Sequence, residues 1–353
     1  MKRLLAAWGF LVVFSSVQVH AQTGLELVCS EVVAGEGVTA VRPLSDFFSG
    51  LRGTPFDTPV FVMGDGARGT EGAEAPPCAA IVAGTHANEI AGVLASYWII
   101  ERCRVPEGRL VVVPRANASG ATWSLQDASG PRFLELGSRT IRYGTRLSNP
   151  AQERLADPGS FVPPQASGNF PALAGQEARN LNRQYPGRQD GNRTAQTAYA
   201  LTLMLQAEEV RIALDLHEAS MTSSLVWSMI TRPEHLDAAA LAALDIEDET
   251  GVSFHLEDSR DEFAGYSHWE WGKLGISAFL VETPNPAQPT DDPTIEQLHN
   301  AAAPLAKRVY VHLCAAKALI ANAADLLQNA GALRIEGFPS SVEEVGRWLE
   351  GTL

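Results

Sequence analysis

The stretch Ile81-Val-Ala-Gly-Thr-His-Ala-Asn-Glu-Ile-Ala-Gly92 decides the fold, because a buried strand becomes a helix within it. Uninterrupted apolar residues at 79–83 predict a strand covered on both faces, and apolar residues at helical spacing predict a helix at 88–102. His86 and Glu89 lie at the junction, three residues apart, where both side chains can face one metal ion. Imidazole and carboxylate ligands suit zinc, and a catalytic zinc site needs a third protein ligand and an open position.

The rest of the chain repeats this alternation of strand and helix. Apolar runs predict buried strands at 110–113, 210–216 and 276–281, and periodicity predicts helices at 195–208, 233–249, 295–329 and 341–349. Alternation of this kind favours an α/β fold with a mixed, largely parallel sheet. The segment 115–195 is rich in Gly, Pro, Ser, Asn and Arg, and we expect it to wrap around a functional site rather than to link two domains.

The first 21 residues have the pattern of a secretory signal peptide. Lys2 and Arg3 precede an apolar run from Leu4 to Val17, and Ala21 offers a small residue for cleavage. We therefore expect an exported protein, periplasmic or secreted, without stable membrane insertion after cleavage; an uncleaved anchor is the alternative. The net charge of −14 argues against a nucleic-acid partner and against an anionic membrane surface.

Four cysteines occur, and export would allow them to oxidise. Cys78 precedes the first predicted strand, and Cys103 ends the helix that returns beside it. This placement predicts a Cys78–Cys103 disulfide and, secondarily, a Cys29–Cys314 disulfide. A metal site built from cysteines is not expected, since no Cys-x-x-Cys spacing occurs.

Two further chemical groups follow predicted strands from distant parts of the chain. His217 comes directly after the strand at 210–216, and Glu282 ends the strand at 276–281. The carboxyl ends of parallel strands form the edge where ligands bind, so His217 is the best candidate for the third metal ligand. Burial would raise the pKa of Glu282 toward a value useful for a general base. The alternatives are a buried, hydrogen-bonded histidine and a solvent-exposed carboxylate with an ordinary pKa.

A third polar element is the run Glu177-Ala-Arg-Asn-Leu-Asn-Arg-Gln-Tyr-Pro-Gly187. Arg183 can bind a carboxylate through two hydrogen bonds, and Asn182 adds a neutral donor and acceptor beside it. Arg179 supplies a second positive group four residues earlier. These residues are candidates for substrate binding, and the alternative is a solvated polar loop.

Together these elements resemble the zinc carboxypeptidase clan, in particular its succinylglutamate desuccinylase/aspartoacylase branch and related deacylase-like proteins. The resemblance depends on the order of four motifs, which are Gly84-Thr-His-Ala-Asn-Glu89, Asn180-Leu-Asn-Arg183 with Tyr-Pro-Gly after it, Asp215-Leu-His217 and Glu282-Thr-Pro284. It covers roughly residues 58–330. It implies a single zinc-carboxypeptidase-like domain over residues 22–353, with a central sheet flanked by helices.

The resemblance also implies a mechanism. One zinc ion per chain would be held by His86, Glu89 and His217, with water at the open position, and Glu282 would be the base that activates this water. Asn182 and Arg183 would bind the free carboxylate of the substrate, and Asp215 could orient a ligand imidazole. An arginine that stabilises the oxyanion is expected as well. Its candidates are Arg132, Arg139, Arg142, Arg146 and Arg179.

The chain departs from the family pattern at several positions. Ala87 stands where the family commonly has Gly, and Asn180 where it often has Asp. Only 71 residues follow Glu282 and they look helical, so we expect the β-rich C-terminal domain of the desuccinylase and aspartoacylase enzymes to be absent. Its absence strengthens the carboxypeptidase alternative, for which Tyr266 is a candidate substrate-contacting tyrosine.

Three functions follow from this pattern. The preferred one is a zinc-dependent amidohydrolase that cleaves the amide bond of an N-acyl amino acid. The first alternative is a secreted zinc metallocarboxypeptidase acting on peptides or cell-wall peptides, and the second is a non-catalytic binding relative, since fold does not guarantee function. In the first two cases the partner is a small molecule or short peptide with a free carboxylate.

Overall fold

The computed structural model describes residues 22–64, 77–125, 130–137, 139–154, 175–288, 294–326 and 333–353. The predicted signal peptide lies outside the described residues. The strands of the described chain are β1 (Val38–Pro43), β2 (Pro59–Met63), β3 (Cys78–Ala83), β4 (Arg104–Glu107), β5 (Arg109–Val113), β6 (Arg132–Leu136), β7 (Arg139–Tyr143), β8 (Val210–Ser220), β9 (Ser228–Thr231), β10 (His255–Asp258), β11 (Ser277–Asn285) and β12 (Arg334–Glu336). The α-helices are α1 (Gly24–Cys29), α2 (Ile90–Arg102), α3 (Arg193–Ala207), α4 (Leu236–Thr250), α5 (Ser267–Gly272), α6 (Leu305–Leu326) and α7 (Val342–Leu349).

Eight strands form the central sheet, in the order β1-β2-β5-β3-β8-β11-β9-β10. The four middle strands, β5, β3, β8 and β11, run parallel to one another. Strands β2 and β9 pair antiparallel with the two outer members of this group. The prediction of an α/β fold with a mixed, largely parallel central sheet is therefore confirmed.

Helices cover both faces of the sheet, which explains the predominantly apolar sequence of its middle strands. One apolar cluster joins alternate residues of the strands to α2, α4, α6 and α7. A second cluster joins the other strand residues to α3 and to Trp271 of α5. Helix α6 is long and apolar enough to cross a membrane, but its apolar side chains are buried in the first cluster.

Two glycines allow the junction between β3 and α2 to approach its neighbours. Gly84 has φ of +63°, and a Cβ there would lie 2.9 Å from the Cα of Arg115. Gly92 brings α2 against β8, because a Cβ on it would lie 2.8 Å from the carbonyl oxygen of Leu216. A side chain at either position would push the junction away from the sheet, and the junction carries His86 and Glu89.

The structure differs from the predicted elements in three places. The helix predicted from residue 295 begins at Leu305, because Pro304 lacks an N–H group and is tolerated only in the first helical turn. Strands β8 and β11 run past His217 and Glu282, since they keep pairing up to Ser220 and Asn285. The segment with little periodicity contains the hairpin of β6 and β7.

The predicted disulfides are wrong. The four cysteines, all among the described residues, are not joined to one another. Cys78 packs in the cluster on the α3 face of the sheet, whereas Cys103 packs in the cluster on the α2 face. The sheet separates these two side chains, which position along the strand and helix could not show.

Candidate metal centre and active site

The four residues predicted to carry the chemistry lie together at one edge of the sheet. His86 lies in the turn after β3, and Glu89 is the residue that precedes the first turn of α2. His217 of β8 and Glu282 of β11 are opposite each other in the parallel ladder. This edge holds the carboxyl ends of the parallel strands, where α/β sheets bind their ligands.

His86, Glu89 and His217 form a cluster that could hold a metal ion. Their ligand atoms lie within 4.8 Å of one another, and all three side chains are buried. Glu89 lies between the two histidines, with Oε1 2.7 Å from His86 Nδ1 and Oε2 2.8 Å from His217 Nδ1. Nitrogen and carboxylate donors in this number match a catalytic zinc site, whose bonds are about 2.0–2.2 Å long.

The far nitrogen of each imidazole faces an oxygen acceptor, which favours the tautomer needed for metal binding. His86 Nε2 lies 3.0 Å from Asn180 Oδ1. His217 Nε2 lies 2.9 Å from Asp215 Oδ2, a charge contact that is off the axis of an aligned hydrogen bond. A proton on each Nε2 leaves both Nδ1 atoms free for the metal. Asn180 thus contacts His86 through its amide oxygen. Asp215 lies beside His217 Nε2, a position that fits the orienting role expected for it.

The charges within the cluster depend strongly on one another. Burial lowers the pKa of His86 to about 4, although Glu89 opposes this shift. Burial would also lower the pKa of His217, but Asp215 and Glu89 together raise it well above its ordinary value. Burial favours the neutral form of Glu89, but the two imidazoles hold its pKa well below the usual range. Glu89 is therefore an ionised carboxylate, as a metal ligand must be.

Glu282 has the environment of a general base. Burial raises its pKa to about 8, with His217 and Arg146 acting in the opposite direction. Its Oε2 atom is buried and has no hydrogen-bond partner among the described residues. Because proton transfer is most effective when the pKa of the base is near the working pH, this carboxylate suits acid–base catalysis.

A cavity of about 220 Å³ opens beside these groups. His86, Glu89 and Glu282 line it together with Asn182, Arg183, Arg146 and Tyr266. The guanidinium of Arg183 stacks on the Tyr266 ring, 3.8 Å from its centroid, and Arg183 Nη1 donates to the carbonyl oxygen of Asn182. This stacking holds a positive group at the cavity wall, as the predicted binding of a carboxylate requires.

Of the five arginines considered for the oxyanion, Arg146 alone lines this cavity. No ion pair or hydrogen bond of the Arg146 side chain is found within the described part of the chain. The other four have partners elsewhere, with Arg132 over Tyr143, Arg139 on Glu101, Arg142 on Glu31 and Arg179 on Ser148. Among the five candidates, Arg146 thus has the position that fits the oxyanion role.

The Arg179 side chain lies outside the cavity wall. Its Nη1 donates to the carbonyl oxygen of Ser148 at 2.7 Å, and its guanidinium lies over the Trp123 ring. The side chain is buried and is not part of the cavity wall. The structure thus places Arg179 outside the wall of this cavity, where its hydrogen bond to Ser148 holds the surrounding loop in place.

The sequence did not reveal several residues that contact the cluster. Gln288 Nε2 lies 3.0 Å from Glu89 Oε1 and 3.0 Å from the carbonyl oxygen of Glu218. Beneath the site, the Glu218 carboxylate pairs with Arg308 of α6 and accepts from the backbone N–H of Ala91. The positions of Gln288 and Arg308 in the sequence do not indicate their roles, because each residue reaches the site only through the tertiary fold.

Ser267 connects the two halves of the site. Its backbone N–H donates to Asn182 Oδ1 at 2.9 Å, and its hydroxyl donates to Asp215 Oδ2 at 2.5 Å. The backbone N–H of Asn182 in turn donates to Asn180 Oδ1. A continuous series of contacts therefore joins the His86 imidazole to the His217 imidazole, and it passes through Asn180, Asn182, Ser267 and Asp215.

The chain matches a known family in sequence. Residues 165–306 match the family model described as the succinylglutamate desuccinylase/aspartoacylase catalytic domain. The matched segment contains Asn182, Arg183, His217 and Glu282, whereas His86 and Glu89 precede it. Together with the fold, this match confirms the resemblance to that branch of the zinc carboxypeptidase clan. No curated protein matches the chain.

Several solved structures are similar to the chain at low sequence identity. The apo cell shape determinant protein Csd4 from Helicobacter pylori has a TM-score of 0.51 at 13% identity, covering 82% of this chain and 59% of Csd4. The metallo-carboxypeptidase from Burkholderia cenocepacia has a TM-score of 0.50 at 11% identity, covering 83% of this chain and 66% of that one. The product-bound ectoine utilization protein EutE (DoeB) from Ruegeria pomeroyi has a TM-score of 0.43 at 18% identity, covering 79% and 62%. The chain thus spans less than two thirds of the length of these proteins.

Proposed function

We propose that this protein is a zinc-dependent amidohydrolase that releases an amino acid from an N-acyl amino acid. One observation carries the proposal. His86, Glu89, Glu282 and Arg183 all line one cavity, and Oε2 of Glu282 has no hydrogen-bond partner among the described residues. His217 completes the cluster of metal ligands with His86 and Glu89. A metal site, a base and a carboxylate anchor are the groups that hydrolysis of such an amide needs.

Zinc fits the donor set better than a hard cation such as Mg²⁺ or Ca²⁺, which prefers oxygen ligands. His86 and His217 would each supply Nδ1, and Glu89 would supply a carboxylate oxygen. When bound, zinc would polarise the scissile carbonyl and lower the pKa of water.

The side chains of the cavity then have distinct tasks. Glu282 takes a proton from the attacking water and passes it to the leaving amine, for which its raised pKa is suited. Arg146 faces the same space and stabilises the negative charge that develops on the carbonyl oxygen. Arg183 and Asn182 hold the free carboxylate of the substrate, which orients the scissile bond.

The match to a deacylase family over residues 165–306 supports the N-acyl amino acid as substrate. A metallocarboxypeptidase acting on peptides is the second candidate. The specific observation in its favour is Tyr266, which lines the cavity and stacks on the carboxylate anchor Arg183. We also propose that the protein acts outside the cytoplasm, on the basis of the signal pattern in its first 21 residues.

The experiment compares the wild type with Glu282→Gln on N-acyl amino acids and on short peptides, each with a free and with a blocked carboxylate. We expect hydrolysis by the wild type and a loss of at least about 100-fold in kcat for Glu282→Gln, since general-base catalysis contributes about 10²–10⁴-fold. Glu257→Gln, at an exposed position of β10, is the matched control.

The panel also separates the candidates. Preference for peptides over N-acyl amino acids would favour the carboxypeptidase. Activity that ignores a blocked carboxylate would remove Arg183 as the anchor. If Glu282→Gln hydrolyses the amide as fast as the wild type, the mechanism is wrong. Ligand binding without turnover of any amide would instead indicate the non-catalytic relative.

A further inference from the structure

Two apolar side chains of the cavity wall lie outside the two apolar clusters of the core. Ile230 and Leu280 are 1% and 2% exposed, yet neither belongs to the two apolar clusters of the core. Both line the cavity instead. Their strands pair antiparallel, and Ile230 lies directly opposite Leu280. The two side chains therefore form a small apolar floor of the cavity.

This floor lies next to the base. Leu280 and Glu282 are two residues apart on β11, so their side chains point to the same face of the sheet, about 6–7 Å apart along the strand. Leu225 and Phe263 are further apolar residues of the same cavity wall. A substrate held with its scissile bond at Glu282 would thus place its neighbouring side chain on Ile230 and Leu280.

The charged residues of the described cavity wall already have other tasks. Glu89 faces the two imidazoles, and the Glu218 carboxylate is buried against Arg308. Arg183 is the anchor of the α-carboxylate, and Arg146 is close enough to His86 and Glu282 to shift their pKa values. The polar groups that remain are neutral, such as the hydroxyls of Ser220 and Ser223. A charged substrate side chain on the apolar floor would lose its hydration without gaining a partner.

We propose that the amino acid released by this enzyme has an uncharged, apolar side chain, which packs on Ile230 and Leu280. This inference rests on the proposed function and narrows it. It differs from the acidic amino acids that the name of the matched family implies. The apolar side chain of the substrate gains van der Waals contact with these two residues where they line the cavity.

The first test compares N-acetyl-leucine, N-acetyl-alanine, N-acetyl-aspartate and N-acetyl-lysine as substrates of the wild type. We expect kcat/KM for the leucine compound to exceed that for the alanine compound by about 10- to 200-fold, the range for small apolar groups in a pocket. The aspartate and lysine compounds should be at least about 100-fold worse than the leucine compound, because a charge is buried without a partner. Equal or better hydrolysis of the aspartate compound would overturn the inference.

Variants of the floor give the second test. Ile230→Ala should lower the ratio of kcat/KM for the leucine compound to kcat/KM for the alanine compound by about 10-fold, since the lost contact is with the longer side chain. Ile230→Arg should shift preference toward the aspartate compound. Leu256→Ala is the matched control, because Leu256 lies on the neighbouring strand β10 and is exposed. An Ile230→Ala variant with unchanged preference would contradict the proposed floor.

Product binding separates failure of this inference from failure of the proposed function. Calorimetry on the metal-loaded wild type would measure binding of free leucine, aspartate and lysine without any turnover. Tighter binding of leucine supports the apolar floor even if no amide is cleaved, in which case the proposed hydrolysis fails alone. Tighter binding of aspartate overturns the floor and leaves hydrolysis untouched.

Discussion

The buried ion pair beneath the site allows a stability prediction. The side chains of Glu218 and Arg308 are both fully buried and contact each other. Arg308 Nη2 also donates to the carbonyl oxygen of Gln297, and Glu218 Oε2 accepts from the N–H of Ala91. Replacing Arg308 with methionine keeps much of the volume but leaves a carboxylate buried without its cation. We expect Arg308→Met to lower the free energy of unfolding by about 3–5 kcal/mol.

Urea unfolding followed by tryptophan fluorescence measures this loss, and a double-mutant cycle assigns it. Glu218→Gln keeps an oxygen acceptor for Ala91 and removes the charge, so adding it to Arg308→Met should recover at least about 2 kcal/mol. Arg334→Met, at an exposed arginine of β12, is the control for loss of a surface charge. A loss below about 1 kcal/mol for Arg308→Met would refute the reasoning, since exposed ion pairs contribute up to about 1 kcal/mol and a buried pair should contribute more. No recovery in the double variant would refute it as well.

Two further predictions concern the hydrogen bonds and histidines around the site. Ser267→Ala removes the hydroxyl donor to Asp215 but keeps the backbone donor to Asn182. We expect it to weaken zinc binding by about 10-fold, as loss of other contacts behind metal ligands does. Ser267→Thr should restore the zinc affinity, and an unchanged zinc affinity in Ser267→Ala would exclude the positioning role. Burial lowers the pKa values of His268 and His312 from 6.5 to about 3, so the folded state resists protonation while the unfolded state accepts it. Stability should therefore fall as the pH drops below 6.5 and level off near 3, and the loss at pH 4.5 should be roughly 3 kcal/mol for each histidine. Unfolding titrations of the wild type and His268→Phe between pH 7 and 4.5 check this, and an equally steep fall in the variant would contradict it.

The sequence predicted the middle of the sheet and the location of the chemistry. Predominantly apolar runs identify β3, β5, β8 and β11, because a strand buried on both faces has few polar positions. The carboxyl ends of these strands then bring His86, His217 and Glu282 to one edge, although they are far apart in the chain. Local pattern and parallel topology are sufficient for that inference.

Other features depend on contacts that local pattern does not encode. The sequence around Cys78 and Cys103 does not say which face of the sheet each side chain occupies, so the disulfide was mispredicted. Arg146 could not be distinguished from the other arginines until their partners were known. Ser267 and Gln288 reach the site by hydrogen bonds across the fold, and the apolar floor appears only when β9 pairs with β11.

The central claim is that His86, Glu89 and His217 hold one zinc ion, and metal analysis tests it most directly. Purified wild-type protein, dialysed against zinc and then against buffer, should contain about one zinc per chain by elemental analysis, as a three-ligand site requires. His217→Ala should lose it, whereas His255→Ala, at an exposed histidine of β10, should retain it. A full zinc content in His217→Ala, or none in the wild type, would contradict the account.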